Sequence, residues 1–477
     1  MSLSSATTIA TAQIPPGGVG RDWPHLLLAI LGIGSLLRIA IWAWFAQLAP
    51  QIDDEQAHVI LARNIVESGE YRFGPEREPS SLRPPLYPAF VAVVFSIFGE
   101  DNFQAVRLFH IAMSLVLVVI VYRLGRDMIS VKAGLWSAAM MCFYPTFIGY
   151  CYLMLTEIMF TLLLMLGVYS ISIALRRRSY RYVVLAGVVL GLGALTRSIL
   201  FPFAPVLAMY LLVVWRGTFL QRFAAVAAFS VPFAGVLTPW AIRNTQLQRT
   251  FVPVDCMGGR NFMMGNYEYT PLYRSWDAIA IRDETEWLQV MISRHPEYAG
   301  STQGQLDKFA FGEAVHFVRD NPGLTAQRDV IKFFDFWGLE RELIAGMYRG
   351  YFGPIPSPVM VGISIAICGS YVLVLFVGAF GASRRCRLDL RLHLLLLLII
   401  CFVCAVHTVV FAHSRYHLPI MPLAMLFAAA VFSESRSEHR SLRRFVVSAS
   451  FCALVAIGWG WNAAAGDLSR LFNILRN

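Results

Sequence analysis

The sequence predicts an all-α polytopic membrane protein with about 11 transmembrane helices. Three observations carry this. Of 477 residues, 57% are hydrophobic. Only 15% are charged, against about 25% in ordinary soluble domains. The apolar residues also fall in runs close to the roughly 20 residues that a bilayer core demands. A disordered chain and a soluble globular enzyme are thereby excluded.

Residues 1–24, rich in Ser, Thr, Ala, Gly and Pro, read as a disordered cytoplasmic N-terminus. The first apolar run, near 25–47, lacks a small-residue cleavage site and reads as a retained anchor. Further spans are expected near 103–122, 133–149, 158–175, 182–196, 199–215 and 223–239. Together with a first polar loop at 50–102 they form a module over 25–239. A second polar segment, 240–356, has helix signals at Gln305–Arg319, stopped by Asn321-Pro322-Gly323, and from Thr325 to Trp337. Spans near 357–382, 392–411, 418–433 and 445–461 follow, then a tail at 462–477. Leu86–Phe98 is apolar but too short to span, and reads as an interfacial helix.

Basic residues set the orientation. One set of short loops holds 18 of the 40 Lys and Arg, among them Arg21, Arg123, Arg176, Arg216, Arg384, Arg385, Arg387, Arg391, Arg436 and Arg440. Those loops hold only five of the 30 acidic residues: Asp22, Asp127, Asp389, Glu434 and Glu438. This side is read as cytoplasmic, with the N-terminus inside and both long polar segments outside. The formal charge of +10 is then a topology signal facing anionic lipid, and nucleic acid is not an expected partner. Cys401 and Cys404 make a CxxC inside an apolar run, with no second ligand pair nearby; buried apolar cysteines explain them better than zinc. Arg38, within the first span, is expected to pair with a group inside the bundle.

Acid–base chemistry belongs where the carboxylates are, on the outer face. Asp53-Asp54-Glu55 follows the first span directly. Three adjacent carboxylates repel, so at least one pKa should rise unless a cation or a metal sits there. In Arg83-Pro84-Pro85-Leu86-Tyr87-Pro88 the prolines stiffen a turn beside a guanidinium. Such a turn suits a phosphate, or a snorkelling arginine beside an interfacial helix. Glu157 has almost wholly apolar neighbours, and an ionisable group at such depth is a functional candidate. A donor set of Arg197, Arg243, Asn244, Arg260, Asn261, Arg415 and Tyr416 lies on the same face, where carboxylates, arginines and amides together suit a lipid-linked phosphate and a sugar. His58, His413 and His417 are near it too, and a divalent cation held with the acidic triplet is a second option.

At these residues the chain resembles the bacterial GT-C glycosyltransferases related to protein O-mannosyltransferases and to the lipid A aminoarabinose transferase. "DDEQAHVILARNIVESGEYRFG" followed by "RPPLYPAFVAVVFSIFG" is similar to the family's acidic motif, helix, glycine and basic-proline turn. "LTE" at 155–157, "LTR" at 195–197, "PWAIRN" at 239–244, "GGRNFMMGN" at 258–266, "FVRDNPG" at 317–323 and "RYHLPIMP" at 415–422 follow in the family's order. The resemblance implies a GT-C-type bundle with outer juxtamembrane helices and a small periplasmic segment, in a bacterial inner membrane. It implies Asp54 as catalytic base flanked by Asp53 and Glu55, Glu157 as the second acidic position, and Arg83 at the lipid phosphate. Arg243, Arg260 with Asn261, and Arg415 with Tyr416 are weaker phosphate or sugar contacts, and Tyr87 belongs to the same basic-proline turn. Many relatives carry tyrosine where this chain has His58, so the sugar contact differs there. The implied partners are a polyprenyl-phosphate sugar donor, a lipid, glycan or protein acceptor, and the membrane lipids; metal use varies in the family. A direct displacement would invert the anomeric carbon. A lipid-linked sugar flippase and an O-antigen ligase-like glycan transferase are the rival readings. The first requires polar groups near the midplane, and the spans hold no deep acidic residue.

Overall fold

The computed structural model describes residues 24–44, 48–74, 77–273, 275, 293–383, 389–433 and 442–464. The expected disordered N-terminus apart from Pro24, most of the tail, and Arg21, Asp22, Arg384, Arg385, Arg387, Glu434, Arg436, Glu438 and Arg440 lie outside the described residues. Helix dominates the rest; among the described residues the one β feature is a bridge between Arg72 and Pro79.

The first span is α1 (Pro24–Trp44). Two helices, α2 (Asp53–Ser68) and α3 (Leu86–Phe98), lie before the second span. Then come α4 (Phe103–Met128), α5 (Val131–Phe143), α6 (Pro145–Tyr150), α7 (Glu157–Arg177), α8 (Tyr180–Ala194), α9 (Leu200–Val214) and α10 (Phe219–Gln248). The second polar segment folds as α11 (Gly258–Gly265), α12 (Gln303–Asp320), α13 (Pro322–Phe336) and α14 (Glu342–Tyr348). The chain continues through α15 (Ser357–Ser383), α16 (Leu390–Val409), α17 (Met421–Ser433) and α18 (Leu442–Trp461).

Among the described residues, eight helical segments are long and apolar enough to cross a membrane. Helices α5, α8 and α9 are shorter apolar helices at positions expected to span. The expected span 133–149 is two helices. Proline lacks an N–H and drives the residue before it out of the helical region. Accordingly α5 stops at Phe143, Tyr144 is extended with ψ 113°, and Pro145 opens α6. The span expected to end at 239 instead runs on to Gln248, through Pro232 and Pro239.

Without a hydrophobic force between helices in lipid, close backbone packing holds them together. Gly187 shows this where α8 meets α10: a Cβ there would lie 2.4 Å from the Phe229 carbonyl oxygen. Gly381 does the same between α15 and α17, with the Phe427 oxygen at 2.0 Å. Arg38 is fully buried and finds its partners within the bundle, donating to Ser114 Oγ at 3.0 Å and the Gly34 carbonyl at 3.1 Å. Cys401 and Cys404 correct the expectation of burial: on the apolar helix α16, Cys401 is exposed and Cys404 half-buried, because α16 packs only one of its faces against the bundle.

The polar segment follows its capping chemistry. Thr302 caps α12 in a reciprocal box with Gln305, and Pro322 opens α13 at its first turn, where a missing N–H costs nothing. A small core of Met263, Ala310 and Ala314 joins α11 to α12.

Candidate active site

The site begins with how α2 is anchored. Its first turn carries Asp53, Asp54 and Glu55, where the helix dipole favours negative charge. Glu55 is buried, and its carboxylate accepts the backbone N–H of Gln51 and Ile52, each at 3.1 Å, and of Met154 at 2.7 Å. Burial raises its pKa. Glu55 therefore staples the start of α2 to the turn that leads into α7. Buried Arg107 on α4 adds a second tie, donating to the carbonyls of Tyr152 at 3.0 Å and Leu48 at 2.5 Å. Glu55→Ala leaves the Met154 N–H buried without an acceptor. It should destabilise the protein by about 1.5–3 kcal/mol, read as a lower melting temperature in detergent, with Glu55→Gln recovering part of the loss.

The staple holds Asp54 near Glu157, which opens α7 behind Thr156. Three arginines from three other connections converge on these carboxylates. Arg83 Nη2 donates to Asp54 Oδ1 at 2.7 Å, and Arg415 Nη2 to Oδ2 at 2.5 Å. Arg197, between α8 and α9, donates to Glu157 Oε1 at 2.8 Å, and Arg415 Nε lies 3.9 Å from the same oxygen. Arg415 thus bridges both acids. Burial alone pushes the Asp54 carboxyl up, but the Arg83 and Arg415 guanidiniums outweigh it and hold it well below the usual carboxylate range. The repulsion within the acidic triplet is relieved by cations at Asp54 and by backbone amides at Glu55; Asp53 is exposed. Glu157 Oε2 is buried and, among the described residues, has no hydrogen-bond partner.

The basic-proline turn is fixed from behind, where Tyr71 Oη donates to the carbonyls of Arg83 at 3.0 Å and Pro84 at 3.1 Å. His58, one turn after Asp54, is buried, and its Nδ1 has no partner among the described residues. Burial, then Arg83, pushes its pKa down to about 3, so the ring is neutral at physiological pH. It meets Tyr87 edge-on at 4.9 Å. Tyr87 is fully buried, and its hydroxyl pairs with His110 Nε2 at 3.2 Å, beneath the charged groups.

The weaker candidates scatter. Arg243 stacks on Trp240 at 4.5 Å and donates to the Ser80 carbonyl at 2.6 Å, pinning the loop behind Arg83. Arg260 is buried on α11, its backbone N–H on Asp307 at 2.9 Å, and the half-buried Asn261 follows it. Tyr416 remains at the centre: its ring stacks on His407 at 4.4 Å and lies under Arg197 at 5.8 Å and Arg415 at 5.6 Å. His413 and His417 take different partners. His413 pairs with Glu342 at 3.3 Å, while buried His417 sits between Glu340 at 3.2 Å and the Phe336 carbonyl at 2.6 Å. Beside Arg415 a small crevice is lined by Thr146, Tyr150, Glu340, Glu342, Leu343 and Ser414.

A divalent cation does not fit the residues around Asp54. Guanidiniums already occupy both its oxygens and one oxygen of Glu157, and three such charges repel a dication. Among the described residues no group of three or more His, Cys, Asp or Glu is placed to hold a metal ion.

Sequence reasoning left Arg107 and Glu340 unremarked and gave Arg197 no separate role. Arg107 is an arginine one turn into a span, which is itself a signal of a buried partner. Glu340 accepts hydroxyls from Tyr144 and Thr146, contacts with no local sequence signature.

With the geometry in hand, residues 82–242 match the family described as dolichyl-phosphate-mannose-protein mannosyltransferase. No curated protein matches the chain in sequence. Among solved structures, it resembles the archaeal oligosaccharyltransferase AglB from Archaeoglobus fulgidus in complex with an inhibitory peptide and a dolichol-phosphate. The TM-score is 0.51 at 12% identity, over 92% of this chain and 55% of that one. The same archaeal enzyme in complex with zinc and sulfate gives 0.51 at 14% identity, over 92% and 51%. ArnT from Cupriavidus metallidurans bound to undecaprenyl phosphate gives 0.44 at 13%, over 91% and 63%. The chain spans about half the length of the archaeal structures. The bundle of apolar helices, with α2 and α3 set before the second span, is thus the fold of these archaeal oligosaccharyltransferase structures, and residues 82–242 match the mannosyltransferase family model within it.

Proposed function

We propose that the chain is a membrane glycosyltransferase that moves a sugar from a polyprenyl-phosphate-linked donor to a lipid, polysaccharide or protein acceptor at the outer face of a bacterial inner membrane. The observation that carries this is the convergence of Asp54 and Glu157 with Arg83, Arg197 and Arg415 at one end of an apolar bundle. A lipid-linked donor needs this combination: its tail stays in the bilayer, its phosphate needs fixed cations, and its acceptor needs a base. The family match and the dolichol-phosphate in the archaeal structure support the same donor chemistry.

In this mechanism Arg83 and Arg415 stabilise the charge that grows on the departing phosphate. Asp54 takes the proton of the acceptor hydroxyl as it attacks the anomeric carbon. One displacement inverts that carbon. Glu157, itself sealed from solvent, positions Arg197 and Arg415 beside Asp54. The charge asymmetry of the loops supports a cytoplasmic N-terminus.

The test is mass spectrometry of envelope glycans from a deletion strain. One sugar substituent should disappear and return with the wild-type chain but not with Asp54→Asn; an unchanged glycan profile would sink the proposal. Arg83→Ala should raise the KM for donor about 10–100-fold, the loss of one charge-assisted phosphate contact or more. If only acceptor kinetics change, Arg83 does not meet the phosphate.

A further inference from the structure

Taking the proposed donor chemistry as its basis, we propose that Arg83 and Arg415 form a phosphate seat that the Asp54 carboxylate occupies while donor is absent, so that donor binding itself releases the base. The geometry is the first support. A single carboxylate spans two guanidiniums from distant segments, with one oxygen on each, at 2.7 and 2.5 Å. Two guanidiniums aimed at one small anion are the recognition pattern for a phosphate as much as for a carboxylate. The Asp54 side chain is here an internal anion holding that place.

Charge balance is the second support. Arg83 and Arg415 share the single Asp54 carboxylate at hydrogen-bond distance, Arg415 reaches Glu157 only at 3.9 Å, and burial pushes the pKa of Asp255, the other carboxylate acting on Arg83, up to about 6. Access is the third. The side chains of Arg83, Asp54 and Arg415 are 33%, 23% and 16% exposed, so an arriving anion can reach them, whereas the Glu157 carboxylate is sealed at 1%.

The base role requires the exchange. With both oxygens covered by guanidiniums, Asp54 has little affinity for a proton and no well-placed lone pair for a hydroxyl. When a phosphate takes over one or both arginines, Asp54 keeps its place on α2 through the neighbouring Glu55 staple but regains proton affinity. No covalent bond changes in this step; two sets of charge-assisted hydrogen bonds are exchanged. The acceptor is deprotonated only when a donor is seated, which enforces donor-first order and protects the acceptor site from idle chemistry.

The test uses the full-length protein in detergent and measures binding of farnesyl phosphate and of inorganic phosphate by calorimetry. Asp54→Asn should bind farnesyl phosphate about fivefold to tenfold more tightly than wild type, the scale of one half-exposed ion pair removed from competition. Exposed Asp53→Asn, which removes the same charge one residue away, should change binding less than about twofold. Equal tightening by both variants would reduce the effect to bulk charge, and unchanged or weaker binding by Asp54→Asn would overturn the exchange. A gain for inorganic phosphate as well shows that the headgroup alone competes; a gain confined to farnesyl phosphate shows that the lipid delivers it. Absence of farnesyl phosphate binding in all three proteins would instead overturn the lipid-phosphate donor. Melting curves verify folding, and Asp54→Ala repeats the comparison should the asparagine variant prove unstable.

Discussion

Asp54→Asn should lower kcat for sugar transfer by about 10²–10⁴-fold, the range of a general base, while expression and membrane insertion stay normal. The asparagine keeps the shape of the side chain and its oxygen can still accept from one guanidinium, so Arg83 and Arg415 lose charge compensation but not packing. Both are partly exposed and can take water in exchange. The pH dependence has a defined sign. A carboxyl held below its ordinary range contributes stability that is present above its unfolded value and is lost only as pH falls through the folded one. Asp54 is held well below that range, so its ion pairs should survive mild acid. An acid limb of the pH–rate profile between about pH 5 and 7 then belongs to another group, or to Asp54 after the phosphate has arrived. Near-normal transfer by Asp54→Asn would remove it as the base.

Glu157→Ala should have the second large effect, on stability and on turnover together. Its carboxylate is 1% exposed and carries Arg197 at 2.8 Å. Removing one partner of a buried pair strands the other charge, at a cost of about 3–5 kcal/mol. Arg197 is 19% exposed, which lets water relieve part of that, so the low end is expected. The double variant Glu157→Leu/Arg197→Met replaces the pair with apolar volume and should recover most of the melting temperature without recovering transfer. If the single variant is unstable and the double is both stable and active, the pair serves the fold alone. Stability restored with activity absent assigns Glu157 to the chemistry.

Much of this arrangement was legible in the residues themselves. Apolar runs and arginine-rich loops mark the spans, because a bilayer leaves few other ways to satisfy a backbone. Asp54, Arg83, Glu157 and Arg415 stand out as charged groups beside apolar sequence, and those four meet. What escaped is what depends on partners distant in the chain. Asp54 and Glu55 are adjacent and chemically alike, yet one faces two guanidiniums and the other three backbone amides. That divergence follows from the helical turn of 100° between them and from where Met154 comes to lie. Arg243 and Arg415 likewise look equivalent in sequence, but only Arg415 reaches the carboxylates; Arg243 is spent on the Ser80 carbonyl and the Trp240 ring. Pro145 splits the expected span 133–149 because a proline bars the residue before it from the helix, even inside an apolar run.

The convergence of connections from both halves of the chain has a consequence for biogenesis. Asp54 leaves the ribosome early and Arg415 late, with most of the bundle between them. Until Arg415 has been made, the acidic start of α2 is therefore without its closing partner. The bridge between Asp54 and Glu157 is closed only when the turn carrying Arg415 docks between α16 and α17.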